Sequence, residues 1–196
     1  MLPFSKKFSI FATKSDMKMI NPINIRQARA FARQDGLILA TAWIISFICA
    51  MQAYRSSFLG LISSVLQIAT PFIVGYTLKK FRDKILDGNI SFRRAFFYCM
   101  ETFFYASIIL TIFQFAYLKW GDTTGFMAQI SEYSKIAAQM YRDTYHMSPA
   151  QVKQVMEAFT MMTPLAWASA FLMTELVGGL IISPIIALIM KRQPEK

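Results

Sequence analysis

The 196 residues carry a formal net charge of +10 and are 55% hydrophobic. That length leaves room for one membrane domain and little else, and two cysteines, Cys49 and Cys99, both inside apolar runs, argue against a disulfide framework. The positive charge invites a nucleic-acid partner, but its placement follows the apolar runs and argues for a membrane instead.

In chain order, residues 1–23 have little helical pattern and read as a disordered N-terminal segment. Phe8 to Ala12 is too short for the apolar core of a secretory signal. Residues 24–34 read as a short amphipathic helix. Asn24 is placed to N-cap it, with Gln27 three residues on. Arg26, Arg29 and Arg33 share one face, suited to anionic headgroups at the cytoplasmic leaflet.

The membrane domain is expected over residues 35–192, with spans at about 36–54, 56–78, 94–118 and 164–190. A bilayer core of about 30 Å needs about 20 apolar helical residues. Gly36 to Tyr54 supplies 19 without a formal charge, and Ser56 to Leu78 supplies 23. The second span contains Pro71, which frees a carbonyl near Gln67 and predicts a kink. Asp87-Gly88-Asn89 ends that helix, and Ser91 stands as N-cap of the third.

Residues 119–163 form the long loop between the third and fourth spans. Phe126, Ile130, Tyr133, Ala137 and Met140 make a one-sided helical stripe. Ser148-Pro149-Ala150-Gln151 combines N-cap serine, N1 proline and N3 glutamine, and so opens a second helix. Val152, Val155, Met156 and Phe159 line its apolar face. The two helices are expected to form a hairpin on the membrane surface or over the mouth of the bundle. The fold class is therefore all-α: a polytopic bundle of four transmembrane helices with a helical periplasmic hairpin between spans 3 and 4.

Basic residues set the orientation. Seven precede the first span, six lie in the connection from Lys79 to Arg94, and three follow the fourth span. That places sixteen on one side. The other side has Arg55 and four in the long loop, which is five. The positive-inside pattern puts both termini in the cytoplasm.

Four spans, Ile90-Ser91-Phe92-Arg93-Arg94-Ala95-Phe96 opening the third, a long helical loop, and Gly178-Gly179-Leu180-Ile181-Ile182-Ser183-Pro184 before Lys191-Arg192 form a pattern. It resembles an uncharacterised four-helix integral-membrane family of Bacteroidota, a domain of unknown function. The resemblance runs from about Asp35 to Arg192. It implies an envelope protein in the inner membrane of a Gram-negative bacterium, and it implies no reaction and no site residues.

Glu101 and Glu175 interrupt the third and fourth spans. A carboxyl there costs a few kcal/mol unless it faces protein or water. Glu175 shares a stripe with Gly179, Ser183 and Ala187, and small residues every four positions admit a close neighbouring helix. The second span, with Gly60, Ser63 and Ser64, is the expected neighbour. Glu175 should then face the bundle interior. Glu101 lies seven residues after Arg94 on nearly the same face, so an ion pair is expected there. Gln67, Ser63 and Tyr105 are the expected hydrogen-bond partners of the carboxyls.

His146 is the only histidine and fits a helix C-terminus. One histidine with scattered carboxylates does not make a metal site. No phosphate-binding glycine loop, Cys-X-X-Cys or nucleophile motif occurs.

The expectation is a non-enzymatic structural or accessory protein of the inner membrane, with no cofactor. Its partners are the lipid bilayer, anionic headgroups, and a second copy or another membrane protein. The alternative is a small oligomeric transporter or channel using the intramembrane carboxylates. The space around Glu175 separates the two.

Overall fold

The computed structural model describes residues 22–192. The segment expected to be disordered, residues 1–23, lies outside them except for its last two residues, which are helical. Six helices follow: α1 (Pro22–Met51), α2 (Ser57–Ile85), α3 (Phe92–Trp120), α4 (Thr124–Asp143), α5 (Pro149–Thr160) and α6 (Pro164–Met190). Among the described residues there are no strands beyond an isolated bridge between Ile90 and Arg192.

Among the described residues four helices are long and apolar enough to cross a membrane: Gln27–Met51, Ser57–Ile85, Phe92–Trp120 and Pro164–Met190. At 27 residues the shortest helix among α1, α2, α3 and α6 extends about 40 Å, longer than a hydrocarbon core. Phe58, Leu61, Val65, Ile68, Phe72 and Tyr76 make a strongly exposed apolar face on α2. In water such a face would drive aggregation; in a bilayer it is the lipid surface. The chain is a multi-pass membrane protein.

The first helix departs from expectation. The basic segment 24–34 and the first span form one unbroken helix, already helical at Pro22, so Asn24 does not start it. Residues 27–34 contain neither glycine nor proline to break the ladder. A buried face, with Ala32, Asp35, Gly36, Leu39 and Ala40, runs straight through the expected boundary. The kink expected at Pro71 does not end α2, which runs through it to Ile85. That helix stops at Asp87 and Gly88, both with positive φ (51° and 80°). Glycine adopts that conformation without a Cβ penalty.

The start signal at Ser148 holds, and Ser91 stands at the N-cap of α3 without a side-chain cap bond. Ser148 accepts from Gln151 N at 3.3 Å while Gln151 Oε1 accepts from Ser148 N at 2.9 Å, a complete capping box opening α5. Thr163 caps α6 through Ala166 N at 3.2 Å.

The spans pack with α3 in the middle, against α1 on one side and α6 on the other; α2 packs chiefly on α1. Two core clusters result. One joins Leu39, Val74, Leu78, Phe81, Tyr98, Phe103 and Ile186, at the end where α1 begins and α6 finishes. The other joins Met51, Leu118 and Phe126 at the opposite end, beneath α4.

Candidate functional site

The α3–α6 contact is built on small residues. A Cβ on Gly179 would meet Phe103 Cβ and Cγ at 2.8 Å, so the two helices touch there through the glycine backbone. Ser183 and Ala187 continue the stripe and are fully buried. The expected neighbour was α2, and this is corrected: the partner of Gly179 is Phe103 of α3. Ser63 of α2 serves α1 instead, where Ser46 Oγ lies 3.1 Å from Ser63 Oγ. Against α6, Gly75 of α2 lies under Met190 and Ile186 at the terminal end.

With Gly179 seated on Phe103, Glu175 falls one turn nearer the hairpin end and points inward, as its stripe implies. Gln114 Nε2 of α3 donates to Glu175 Oε1 at 3.1 Å. That partner was not foreseen; Gln67, Ser63 and Tyr105 were. Among the described residues Glu175 Oε2 and Gln114 Oε1 are buried without a hydrogen-bond partner, as are Ser107 Oγ and Ser183 Oγ. Buried polar atoms left unpaired cost free energy, so each calls for an explanation.

Glu175 and Gln114 lie on the wall of a cavity of about 610 Å³. Its floor includes Phe103, Gly179 and Ile182. Trp43, Ser46 and Phe47 of α1 form one side, and Trp167, Phe171 and Glu175 of α6 another. Only Gln67 and Thr70 come from α2. Tyr133 and Ala137 of α4 with Met156 and Phe159 of α5 complete it, so the two loop helices fold over the bundle. Trp43 Nε1 donates to Thr70 Oγ1 at 2.9 Å, which fixes the indole. Phe126 and Trp167 meet edge to face at 5.2 Å.

The cover is docked by close approach. Gly125 at the start of α4 rests on the backbone of Met51, where any Cβ would collide with the carbonyl oxygen. Gln129 Nε2 donates to Ala50 O. Arg55 Nη2 reaches Asp122 Oδ2 at 3.5 Å. The Thr124 hydroxyl, then its N–H, hold the exposed Asp122 carboxyl below the usual range, so it stays ionised at the rim.

Glu101 is elsewhere. Its ion pair is with Arg29 of α1, at 3.1 Å, and not with Arg94 as expected. Residues 29 and 101 are brought together because α1 continues as a helix alongside α3. Arg29 is thus a link between helices as well as a basic residue at the interface. Arg33 is exposed, and the Arg26 side chain lies outside the described part. His146 is exposed, beyond the C-cap Thr144, with φ 51°. Among the described residues no group of three His, Cys, Asp or Glu side chains could hold a metal.

Asp35 escaped the sequence reading. It is buried in α1 and accepts a hydrogen bond from Tyr98 Oη. Tyr98 in turn stacks on Phe81 at 4.7 Å. The signal was available: Asp35 stands three residues after Ala32 and four before Leu39, on the buried face. It was passed over because it lies just outside the uncharged run. Asp35 borders a smaller cavity of about 400 Å³ with Phe72, Tyr76, Thr77 and Lys80.

A family model described as "Protein of unknown function (DUF4199)" matches residues 34–192. The chain belongs to the DUF4199 family. The matched region runs from the start of the buried face of α1 to the bridge at Arg192, so it takes in the whole bundle, the cover and the pocket. No curated protein and no solved structure matches the chain.

Proposed function

We propose that this DUF4199 protein is a non-enzymatic accessory protein of a bacterial inner membrane, and that it works by holding a small, largely apolar molecule in the pocket beneath α4 and α5. The observation that carries this reading is the cavity of about 610 Å³ with the Glu175–Gln114 pair on its wall. Pockets of roughly 300–1,000 Å³ with apolar walls and a few converging polar groups are the usual form of small-molecule sites. The size of the cavity and the unpaired Glu175 Oε2 beside it support this reading over a purely structural role. The hydrogen-bond partner of Glu175 is an amide and not a nucleophile, which supports binding over catalysis.

The basic residues, sixteen against five, support cytoplasmic termini and a periplasmic α4–α5 cover. The resemblance to the Bacteroidota family supports a Gram-negative envelope. Reporter fusions after Gly88 should then read cytoplasm, and fusions between Asp122 and Ser148 should read periplasm. The reverse result would turn the pocket toward the cytoplasm.

The uncharged fluorophore N-phenyl-1-naphthylamine tests the pocket. It should bind the purified chain saturably. Gly178 borders the cavity and has nothing within 4 Å of its Cβ direction. Gly178→Trp should therefore fill the space and abolish saturable binding without loss of fold. Unchanged binding would mean that the probe sits elsewhere and the reading is wrong.

One observation favours the second reading, a transporter: the smaller cavity beside Asp35 at the other end of the bundle. A carrier would have to connect the two through the packed layer of Phe103, Val74 and Leu78.

A further inference from the structure

The one ionisable acid on the pocket wall contrasts with the basic balance of the protein. Among the described residues Glu175 is the only acidic residue on its wall, and no lysine, arginine or histidine lines it. The basic residues at that end of the bundle are all engaged elsewhere. Arg55 Nε donates to Tyr54 Oη at 2.7 Å and its guanidinium reaches Asp122. Lys119 lies over the Trp120 ring at 4.8 Å. Lys135 pairs with Glu132 at 3.4 Å and Lys153 with Glu157 at 3.8 Å. Arg142 Nε donates to Ala138 O at 3.2 Å. None supplies a counter-ion to Glu175, whose one hydrogen-bond partner among the described residues is the Gln114 amide.

The rest of the wall is mostly apolar and carries several aromatic rings. Trp43, Phe103, Phe126, Trp167 and Phe171 contribute rings to it. A ring face is electron-rich and attracts cations, most strongly where water is excluded. A carboxyl without a protein counter-ion, sharing a pocket wall with aromatic rings, is the chemistry that recognises a positive charge on an apolar body.

Building on the pocket reading above, we infer that the ligand is a lipophilic cation: an amine or onium compound with aromatic or other apolar groups. Its charge lies toward the Glu175 carboxyl and its apolar groups against the rings. The ligand completes the ion pair that the chain leaves open. The Gln114 amide, donating to Oε1, holds the carboxyl in place.

Two probes of the same shape and opposite charge test this: tetraphenylphosphonium and tetraphenylborate, titrated against the purified full chain by equilibrium dialysis. The net charge of +10 works against the phosphonium, so a preference for it has to arise locally. The expected result is saturable phosphonium binding at least tenfold tighter than borate binding, with a loss of at least tenfold in Glu175→Gln. The comparison in the unaltered chain stands even if the variant folds poorly. Equal binding of both ions would overturn the cation assignment and leave the pocket reading intact. Binding of neither, with N-phenyl-1-naphthylamine still bound, would also overturn the assignment. Failure of all three probes would remove the pocket reading as well.

Discussion

The two ends of the bundle are built to different rules. At the terminal end the charged groups find protein partners, although Ser183 Oγ is unpaired and a smaller cavity lies beside Asp35. Asp35 takes the Tyr98 hydroxyl, Glu101 takes Arg29, and Arg82 Nη1 donates to Met190 O at 3.1 Å. Phe31 packs tilted against Phe81, which stacks on Tyr98. At the hairpin end a carboxyl, an amide and the aromatic rings surround a void, and one oxygen of each polar group is unpaired. Both ends draw on the same residue types. What differs is whether the chain itself completes the contacts. Dense packing with satisfied polar atoms holds a fold. A void with unsatisfied ones is the form a site takes when its last partner comes from outside.

That contrast is tested most severely at the boundary between the two regions. Gly179→Leu would drive a side chain into Phe103, which is itself buried and hemmed in by Trp43. Overpacking of this kind costs about 1–3 kcal/mol and occasionally more. Here the neighbour is the root of a side chain and cannot swing away, so the upper end is expected. Ser183→Leu, on the same buried stripe, should behave alike. Thermal aggregation in detergent should show a large fall in midpoint for both variants, whereas Gly178→Trp should stay near the unaltered chain. If adjacent glycines 178 and 179 responded equally, the packed and open regions would not be distinct.

A smaller effect is expected inside the packed end. Tyr98→Phe keeps the ring stack on Phe81 but removes the hydroxyl that Asp35 accepts from. Leaving a buried acceptor unpaired costs about 1–3 kcal/mol. Asp35→Asn in the Tyr98→Phe background should cost less than the two single changes combined, because both act on one contact. Strict additivity of the midpoint shifts would mean that the hydrogen bond contributes nothing.

The sequence made some of this legible and hid the rest, and the division is physical. The spans, the capping box at Ser148 and the Asp87-Gly88 stop rest on local rules: apolar length, N-cap chemistry and positive φ. They could be read from a few adjacent residues. The inward aim of Glu175 was legible for the same reason, since helical spacing puts it in line with Gly179 and Ser183. The partner was not. Whether that stripe meets α2 or α3 depends on which helices are neighbours, and small residues on α2 made it an equally good candidate. Arg29 and Gln114 were missed as carboxylate partners because they lie 72 and 61 residues away in sequence. The break expected before Gly36 rested on a change in polarity, and a helix crosses such a change freely when one of its faces stays buried.

The smallest change is expected where the pocket reading is sharpest. Glu175→Gln replaces one carboxyl oxygen with an amide nitrogen and leaves the shape intact. Its Oε1 can still accept from Gln114 Nε2, and the new Nε2 can donate to the unpaired Gln114 Oε1. The fold should lose nothing from the exchange, and the unfolding midpoint should stay within the spread of a neutral surface substitution, about 0.5 kcal/mol. Glu175→Leu is the informative contrast: it strips Gln114 of its one side-chain partner and should cost about 1–3 kcal/mol. A tolerant Glu175→Gln beside a costly Glu175→Leu would say that the fold needs a hydrogen-bonding group here but not a charge. The retained carboxyl would then be explained by what it binds. A large loss of stability in Glu175→Gln would instead assign the carboxylate to the framework, and the contrast between the two ends of the bundle would fail at its central residue.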